Sequence, residues 1–304
     1  MGLGFRFARW AYGGRGPGKD PQVVGITGAL RQDQQKRRAS CSQLTTHRPL
    51  RIGTIRAPGL FHRKNNLALT RCSLFISTPM QKYFSEFFGT FALVFAGTGA
   101  IVINQISHGT VTHLGIALTF GLIVLAMIYT FGDVSGAHLN PAVTLGFWVA
   151  RRLEGTLVLP YILSQVAGAF LASSLLRLLF PTNELLGATM PAGSEMQSFV
   201  LEFVLTFLLM LVILNVSTGA KEKGVTAGIA VGAVIGLEAM FAGPICGASM
   251  NPARSLAPAV VSGHFEHLWL YLAAPILGAI AAKAACQCVR EKGCCSSFEK
   301  KAAA

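Results

Sequence analysis

The chain has 304 residues, 52% of them hydrophobic and only 13% charged, with a mean hydropathy of +0.52. Soluble domains carry about a quarter charged residues, so this balance excludes an ordinary water-soluble domain and indicates an integral membrane protein. The net charge of +13 does not indicate a nucleic-acid binder, because residues 1–79 hold 14 Lys and Arg against Asp20 and Asp33, while the remainder holds 12 bases and 11 acids.

The first 79 residues are Arg-rich, acid-poor and dotted with Gly, Pro and Ser, with no sustained apolar periodicity. Three readings compete: an organelle transit peptide, a disordered cytosolic tail, or sequence translated upstream of a start at Met80. We read the segment as a dispensable extension and leave its origin open. From Met80, which opens "MQKYFSEFFGTF", the character changes.

A bilayer core needs about 20 apolar residues per helix. Six stretches qualify, approximately 83–104, 112–132, 157–179, 197–217, 225–242 and 267–288. Two further segments interrupt them: "GAHLNPAVT" at 136–144 and "GASMNPARS" at 247–255. Each opens a shorter apolar run, 140–149 and 251–261. At 1.5 Å per residue such a run crosses only about half of the core.

The bases orient the spans. Lys82, Arg151 and Arg152, Lys221 and Lys223, and Arg290 and Lys292 fall on one side, whereas the opposing loops 105–111 and 181–196 carry no Lys or Arg. The excess of bases places both termini in the cytosol, with Arg177 the one dissenter. Seven cysteines (41, 72, 246, 286, 288, 294 and 295) show no metal-ligand spacing with His. Cys294 and Cys295 read as free cytosolic thiols, with palmitoylation the competing reading.

The two halves repeat. "EFFGTF" at 86–91 answers "EFVLTF" at 202–207, and Gly-Ile-Ala at 115–117 answers 228–230. Asn140-Pro141-Ala142 answers Asn251-Pro252-Ala253, and Tyr161, Gln165 and Gly168 answer Tyr271, Pro275 and Gly278. Three spans per half is an odd number, so the second copy is inserted upside down. The expected architecture is all-α: six transmembrane helices plus two half-helices in an inverted three-plus-three repeat, a pattern of channels and transporters. Residues 80–191 form the first repeat, 192–290 the second, and 291–304 a cytosolic tail.

Asn is among the best helix caps and Pro is favoured at the first helical position, so Asn-Pro-Ala reads as a helix start. Inversion brings the starts at Asn140 and Asn251 head to head near the bilayer centre. Irregular backbone at that depth survives only inside protein or against a watery cavity. Two opposed N-termini, each worth about half a positive charge, would repel cations and protons but not neutral molecules. Each Asn amide could donate a hydrogen bond to a passing oxygen.

Two such boxes on an inverted repeat resemble the major intrinsic proteins, the aquaporins and aquaglyceroporins. "FAGPICGASMNPARSLAPA" is most similar to the nodulin-like intrinsic proteins and their microbial relatives. The resemblance covers about residues 80–290. It implies a passive homotetramer in the lipid bilayer, each subunit conducting water and small neutral solutes. It further implies a constriction formed by Phe120, Ala239, Ala248 and Arg254, with Arg254 offering donors to solutes. Water-selective relatives carry His where this chain has Ala239, so two alanines beside Phe120 imply a wider aperture for glycerol-like polyols or undissociated metalloid acids.

By the same resemblance Glu86 and Glu202 bind backbone groups of the half-helices and loops, and His138 orients its loop. No second ligand stands near His138 at metal spacing. No cofactor, metal, nucleic acid or catalysis is expected, since no nucleophile, base and metal ligands group together. Glu238 is an intramembrane acid without an assigned role, and Cys246 lies near the constriction. Gly89, Gly97, Gly168 and Gly278 are read as points of close helix packing. Two alternatives stand: a secondary transporter, which would need coupling carboxylates at the midplane, and a strictly water-selective pore. The expected membrane is the plasma membrane, with organelle targeting by residues 1–79 left open.

Overall fold

The computed structural model describes residues 79–217 and 221–289, with side chains of the latter stretch from residue 226 onward. The basic segment 1–78, the Lys221 and Lys223 side chains and the tail with Arg290, Lys292, Cys294 and Cys295 lie outside the described residues. Eight helices run through the rest: α1 Pro79–Ile106, α2 Thr112–Ser135, α3 Pro141–Val149, α4 Gly155–Leu179, α5 Glu195–Val216, α6 Lys221–Cys246, α7 Pro252–Ser262 and α8 Leu268–Val289. All but α3 and α7 contain a stretch long and apolar enough to cross a membrane. The outward surface agrees, with Leu122, Leu159, Leu163, Leu178, Leu237 and Phe241 all more than half exposed. So much large apolar surface is stable only against lipid or another apolar partner.

Two spans run past their expected ends for local reasons. The second continues to Ser135, three residues beyond 132, where Gly136 takes the left-handed φ of 89° and closes the last turn onto the Gly132 carbonyl. The fifth continues from 242 to Cys246 through Pro244. A mid-helix proline removes one hydrogen bond and usually marks a stop; here the helix passes through it.

The packing is pairwise symmetric. Within the first half α1 packs on α2 and α4; within the second α5 packs on α6 and α8. The halves join through α2 against α6, and the half-helices are exchanged, α3 lying against α8 and α7 against α4. Gly168 and Gly278 mark equivalent close approaches, because a side chain there would run into the carbonyls of Phe87 and Phe203. Gly97 serves helix packing as expected, between α1 and α2, while Gly89 receives a side chain from the loop before α3. Gly89 makes room for the Leu139 side chain and Gly97 for the Phe120 ring.

Candidate functional site

Asn140 and Asn251 have extended backbone and cap α3 and α7 as their sequence implies. The Asn140 side-chain oxygen accepts from Ala142 N at 2.8 Å, and that of Asn251 from Ala253 N at 3.0 Å. One proton of each amide ties the halves together. Asn140 Nδ2 donates to the Met250 carbonyl at 2.7 Å, and Asn251 Nδ2 to the Leu139 carbonyl at 2.9 Å.

The loops that enter the half-helices are built alike and under strain. Ala137 and Leu139 in one, Ala248 and Met250 in the other, have positive φ of 46°, 52°, 40° and 53°. Non-glycine residues hold this conformation only where the surroundings over-determine it. Two buried glutamates supply that constraint. Glu86 accepts from His138 N at 2.9 Å and Leu139 N at 2.7 Å; Glu202 accepts from Ser249 N at 2.7 Å and Met250 N at 2.8 Å. Leu139 and Met250 thus point their N–H at a glutamate and their carbonyl at the opposite asparagine.

Glu86 is the better supported of the pair. It also accepts from Ser135 Oγ at 2.7 Å and Gln165 Nε2 at 2.8 Å, and Gln165 donates its second proton to Thr144 Oγ1 at 2.9 Å. In the second half Pro275 replaces Gln165 and Cys246 replaces Ser135, so those two donors have no counterpart of the same chemistry. Gln165 and Ser135 were not expected at the site. The one signal for them was that these two repeat positions differ between halves.

His138 stacks on Phe147, ring centroids 4.5 Å apart, and its Nδ1 lies 3.2 Å from Thr144 Oγ1. The Thr144 hydroxyl also lies 3.0 Å from the Asn140 carbonyl, so it joins the histidine to the cap of α3. Among the described residues no group of three or more His, Cys, Asp or Glu could hold a metal ion.

Between the two loops lies a cavity of about 110 Å³ whose wall includes Phe120, His138, Asn140, Ala248, Asn251 and Arg254. It adjoins a wider hollow of about 860 Å³, sharing Ile128, His138 and Phe147, with Lys82, Asp133, Arg152 and Glu154 around it. Arg254 is 2% exposed. Its Nη1 donates to the Gly187 carbonyl at 2.9 Å, and its guanidinium carbon lies 5.2 Å from the centre of the Phe120 ring. Gly187 is a site residue the sequence did not announce, and it comes from the loop between α4 and α5. That loop is pinned further by Thr189 Oγ1, which donates to Ser255 Oγ at 2.9 Å.

Three of the four expected constriction residues, Phe120, Ala248 and Arg254, therefore share one cavity wall. Ala239 is buried on α6 but is not part of that wall. Cys246 is buried, outside the wall, with its thiol 3.5 Å from the Ala242 carbonyl. Glu238 is 2% exposed, and neither carboxylate oxygen has a hydrogen-bond partner among the described residues.

Comparison with known proteins agrees with this fold. A family model described as "Major intrinsic protein" matches residues 74–285. Aquaporin NIP1-1 of Oryza sativa subsp. japonica is 48% identical over 212 residues, covering 69% of this chain and 75% of that one. Nodulin-26 of Glycine max is 44% identical over 215 residues, covering 70% and 79%. Among solved structures, the aquaglyceroporin from Plasmodium falciparum superposes with a TM-score of 0.63 at 26% identity, covering 68% of this chain and 95% of that one.

Proposed function

The chain belongs to the major intrinsic protein family, and from that premise we propose a passive membrane pore that runs between its two opposed half-helices. It is an integral membrane protein and a channel for water and small neutral solutes, in a family of transport proteins rather than enzymes. The observation that carries the reading is the cross-tie of Asn140 and Asn251 at the wall of a narrow cavity.

Each asparagine spends one amide proton on the opposite loop and keeps a second for a passing oxygen. A solute oxygen there would meet two donors, the His138 ring, and otherwise largely apolar walls. Such a path lowers the cost of shedding hydration for a neutral polar molecule. A cation gains nothing comparable. It loses its water, meets two positive helix ends, and then meets the buried guanidinium of Arg254.

A coupled transporter fits less well. Glu86 and Glu202 are committed to loop amides, and neither they nor Glu238 belongs to the cavity wall. Among the described residues no carboxylate belongs to the wall of the narrow cavity, where a coupling ion would have to be held.

For selectivity, the filter is Phe120, Ala239, Ala248 and Arg254. Small side chains at 239 and 248 leave width for a carbon skeleton, and Phe120 offers it an apolar face. The solutes are accordingly glycerol-sized polyols or undissociated metalloid acids alongside water. Both termini lie in the cytosol, on the strength of the base distribution, in the plasma membrane. The assembly is a tetramer with one pore per chain, as membership of the family implies.

Reconstitution into liposomes tests the reading. Stopped-flow light scattering with water, glycerol, urea and boric acid should show water and at least one neutral solute crossing faster than in protein-free vesicles. Flux that rises only with a proton or sodium gradient would favour the transporter.

A further inference from the structure

The fifth span passes through Pro244 without ending, and that leaves a carbonyl to be accounted for. Proline has no N–H, so the carbonyl four residues earlier, Met240, has no intrahelical donor. It has found one on another helix: His113 Nε2, in the first turn of α2, lies 2.8 Å from the Met240 oxygen. A carbonyl can only accept, so Nε2 carries the proton. The contact needs close approach. A side chain at Gly243, one turn from Met240, would come within 2.9 Å of the His113 ring.

This bond is the outer end of a glycine seam between α2 and α6. Further along, a Cβ at Gly121 would reach the Gly232 carbonyl at 2.6 Å, and one at Gly232 would reach the Gly121 carbonyl at 2.6 Å. Phe120 and Ala239, two of the four residues assigned to the filter, sit on these two helices beside seam positions. The Gly121–Gly232 contact fixes the helices at Phe120. Nothing in the glycine contact itself holds the α6 turn that carries Ala239 and Met240, because proline has removed its own hydrogen bond.

We propose that His113 is a positioning residue for solute selectivity: by donating to the Met240 carbonyl it holds the Ala239 turn of α6 at a set distance from Phe120 on α2. The proposal rests on the pore reading above and on Ala239 facing the constriction. His113 need not touch the solute. Its action passes through the backbone of residues 239–243, and a side chain that can donate at the same reach should replace it.

A mutant cycle with Pro244 separates positioning from general structural support. Replacing Pro244 by Ala returns an N–H to the turn, gives Met240 its own donor, and leaves the histidine nothing to supply. Parent, His113→Ala, His113→Gln, Pro244→Ala and the double variant are reconstituted at equal folded protein, and glycerol and water fluxes are read by stopped-flow. His113→Ala is expected to change the glycerol-to-water ratio by about fivefold, the factor that one net hydrogen bond carries. His113→Gln keeps the parent ratio, and His113→Ala leaves the ratio unmoved on the Pro244→Ala background.

The proposal is overturned if His113→Ala has the parent ratio, or if its effect is as large with Ala at 244 as with Pro. Should His113→Ala not be recovered folded in the parent, His113→Leu, which fills the space without offering a donor, takes its place on both backgrounds and is read by the same two criteria. A parent that passes neither water nor glycerol sinks the pore reading together with this one. A parent that passes both, with a ratio indifferent to His113, sinks this inference alone.

Discussion

Arg254 donates to the carbonyl of Gly187 at 2.9 Å, so the loop that joins the two halves fixes the guanidinium in the cavity wall. The glycine is required there. Its φ is +71°, and a Cβ would stand 2.9 Å from Cβ of Thr98. With its guanidinium also 5.2 Å from the Phe120 ring, Arg254 is held in place by a hydrogen bond and an aromatic face at once.

Charge and shape at this position should therefore come apart. Arg254→Lys keeps the positive charge but loses the planar fork and its stacking. The variant should still reject potassium in planar bilayers, while its glycerol-to-water flux ratio shifts from the parent's. An unchanged ratio would mean that the guanidinium does not shape the aperture.

The two loop anchors are unequal, and stability should report it. Glu86 accepts four hydrogen bonds from Ser135, His138, Leu139 and Gln165, whereas Glu202 accepts from two backbone amides, Ser249 and Met250, with only the weakly donating Cys246 thiol beside them. Truncating either leaves buried donors unpaired, at about 1–3 kcal/mol for each orphaned group. Glu86→Ala should lower the melting temperature in detergent more than Glu202→Ala does. Equal losses, or the reverse order, would count against this ranking.

How far the sequence could be read follows from the same residues. Asn-Pro declares a helix start through local chemistry alone, a capping side chain followed by a ring already set to helical φ, so both half-helices were legible. Glu86 and Glu202 were legible because the repeat aligns them. Gly187 was not, since its carbonyl meets Arg254 only through the path of a loop that has no partner in the repeat. The positive φ at Ala137, Leu139, Ala248 and Met250 was hidden too, because such backbone is ordinarily the province of glycine. The apolar stretch that marks the fifth span ends at 242, whereas α6 runs on through Pro244 to Cys246, with the Met240 carbonyl paired to His113 on a different helix. Gly89 looked like a helix-packing residue, but the space it leaves is taken by the Leu139 side chain of the entering loop.

Ion rejection is the next expectation, and it rests on the opposed helix starts. With α3 and α7 directing their N-termini at one cavity and Arg254 beside them, planar bilayers containing the parent protein should carry no macroscopic cation current at neutral pH. Robust potassium or proton conductance through purified protein would contradict the electrostatic argument.

Glu238 makes a prediction of the opposite kind, a gain. A buried carboxyl with neither oxygen partnered among the described residues forfeits hydration without compensation. Glu238→Met fills a similar volume without polar atoms and should raise stability by about 1–3 kcal/mol, the cost of an unpaired buried polar group. Water flux should stay at the parent level, since the carboxyl is not part of the cavity wall. A less stable variant would show that Glu238 has a partner the fold needs.

The sharpest test of selectivity concerns Ala239, which is 7% exposed and lies next to Glu238 on α6, outside the wall shared by Phe120, Ala248 and Arg254. If those four ring one constriction, Ala239→His adds an imidazole to it, narrowing the aperture and offering water a polar partner. Glycerol needs both width and the apolar face of Phe120, so its flux should collapse while water still passes in single file. If residue 239 instead faces a neighbouring helix, a histidine there chiefly strains the packing. Misfolding lowers both permeabilities together, whereas a filter change separates them. Stopped-flow on reconstituted vesicles, normalised to folded protein, should therefore show glycerol flux lost and water flux largely retained. A proportional fall in both, or no change in either, removes Ala239 from the filter.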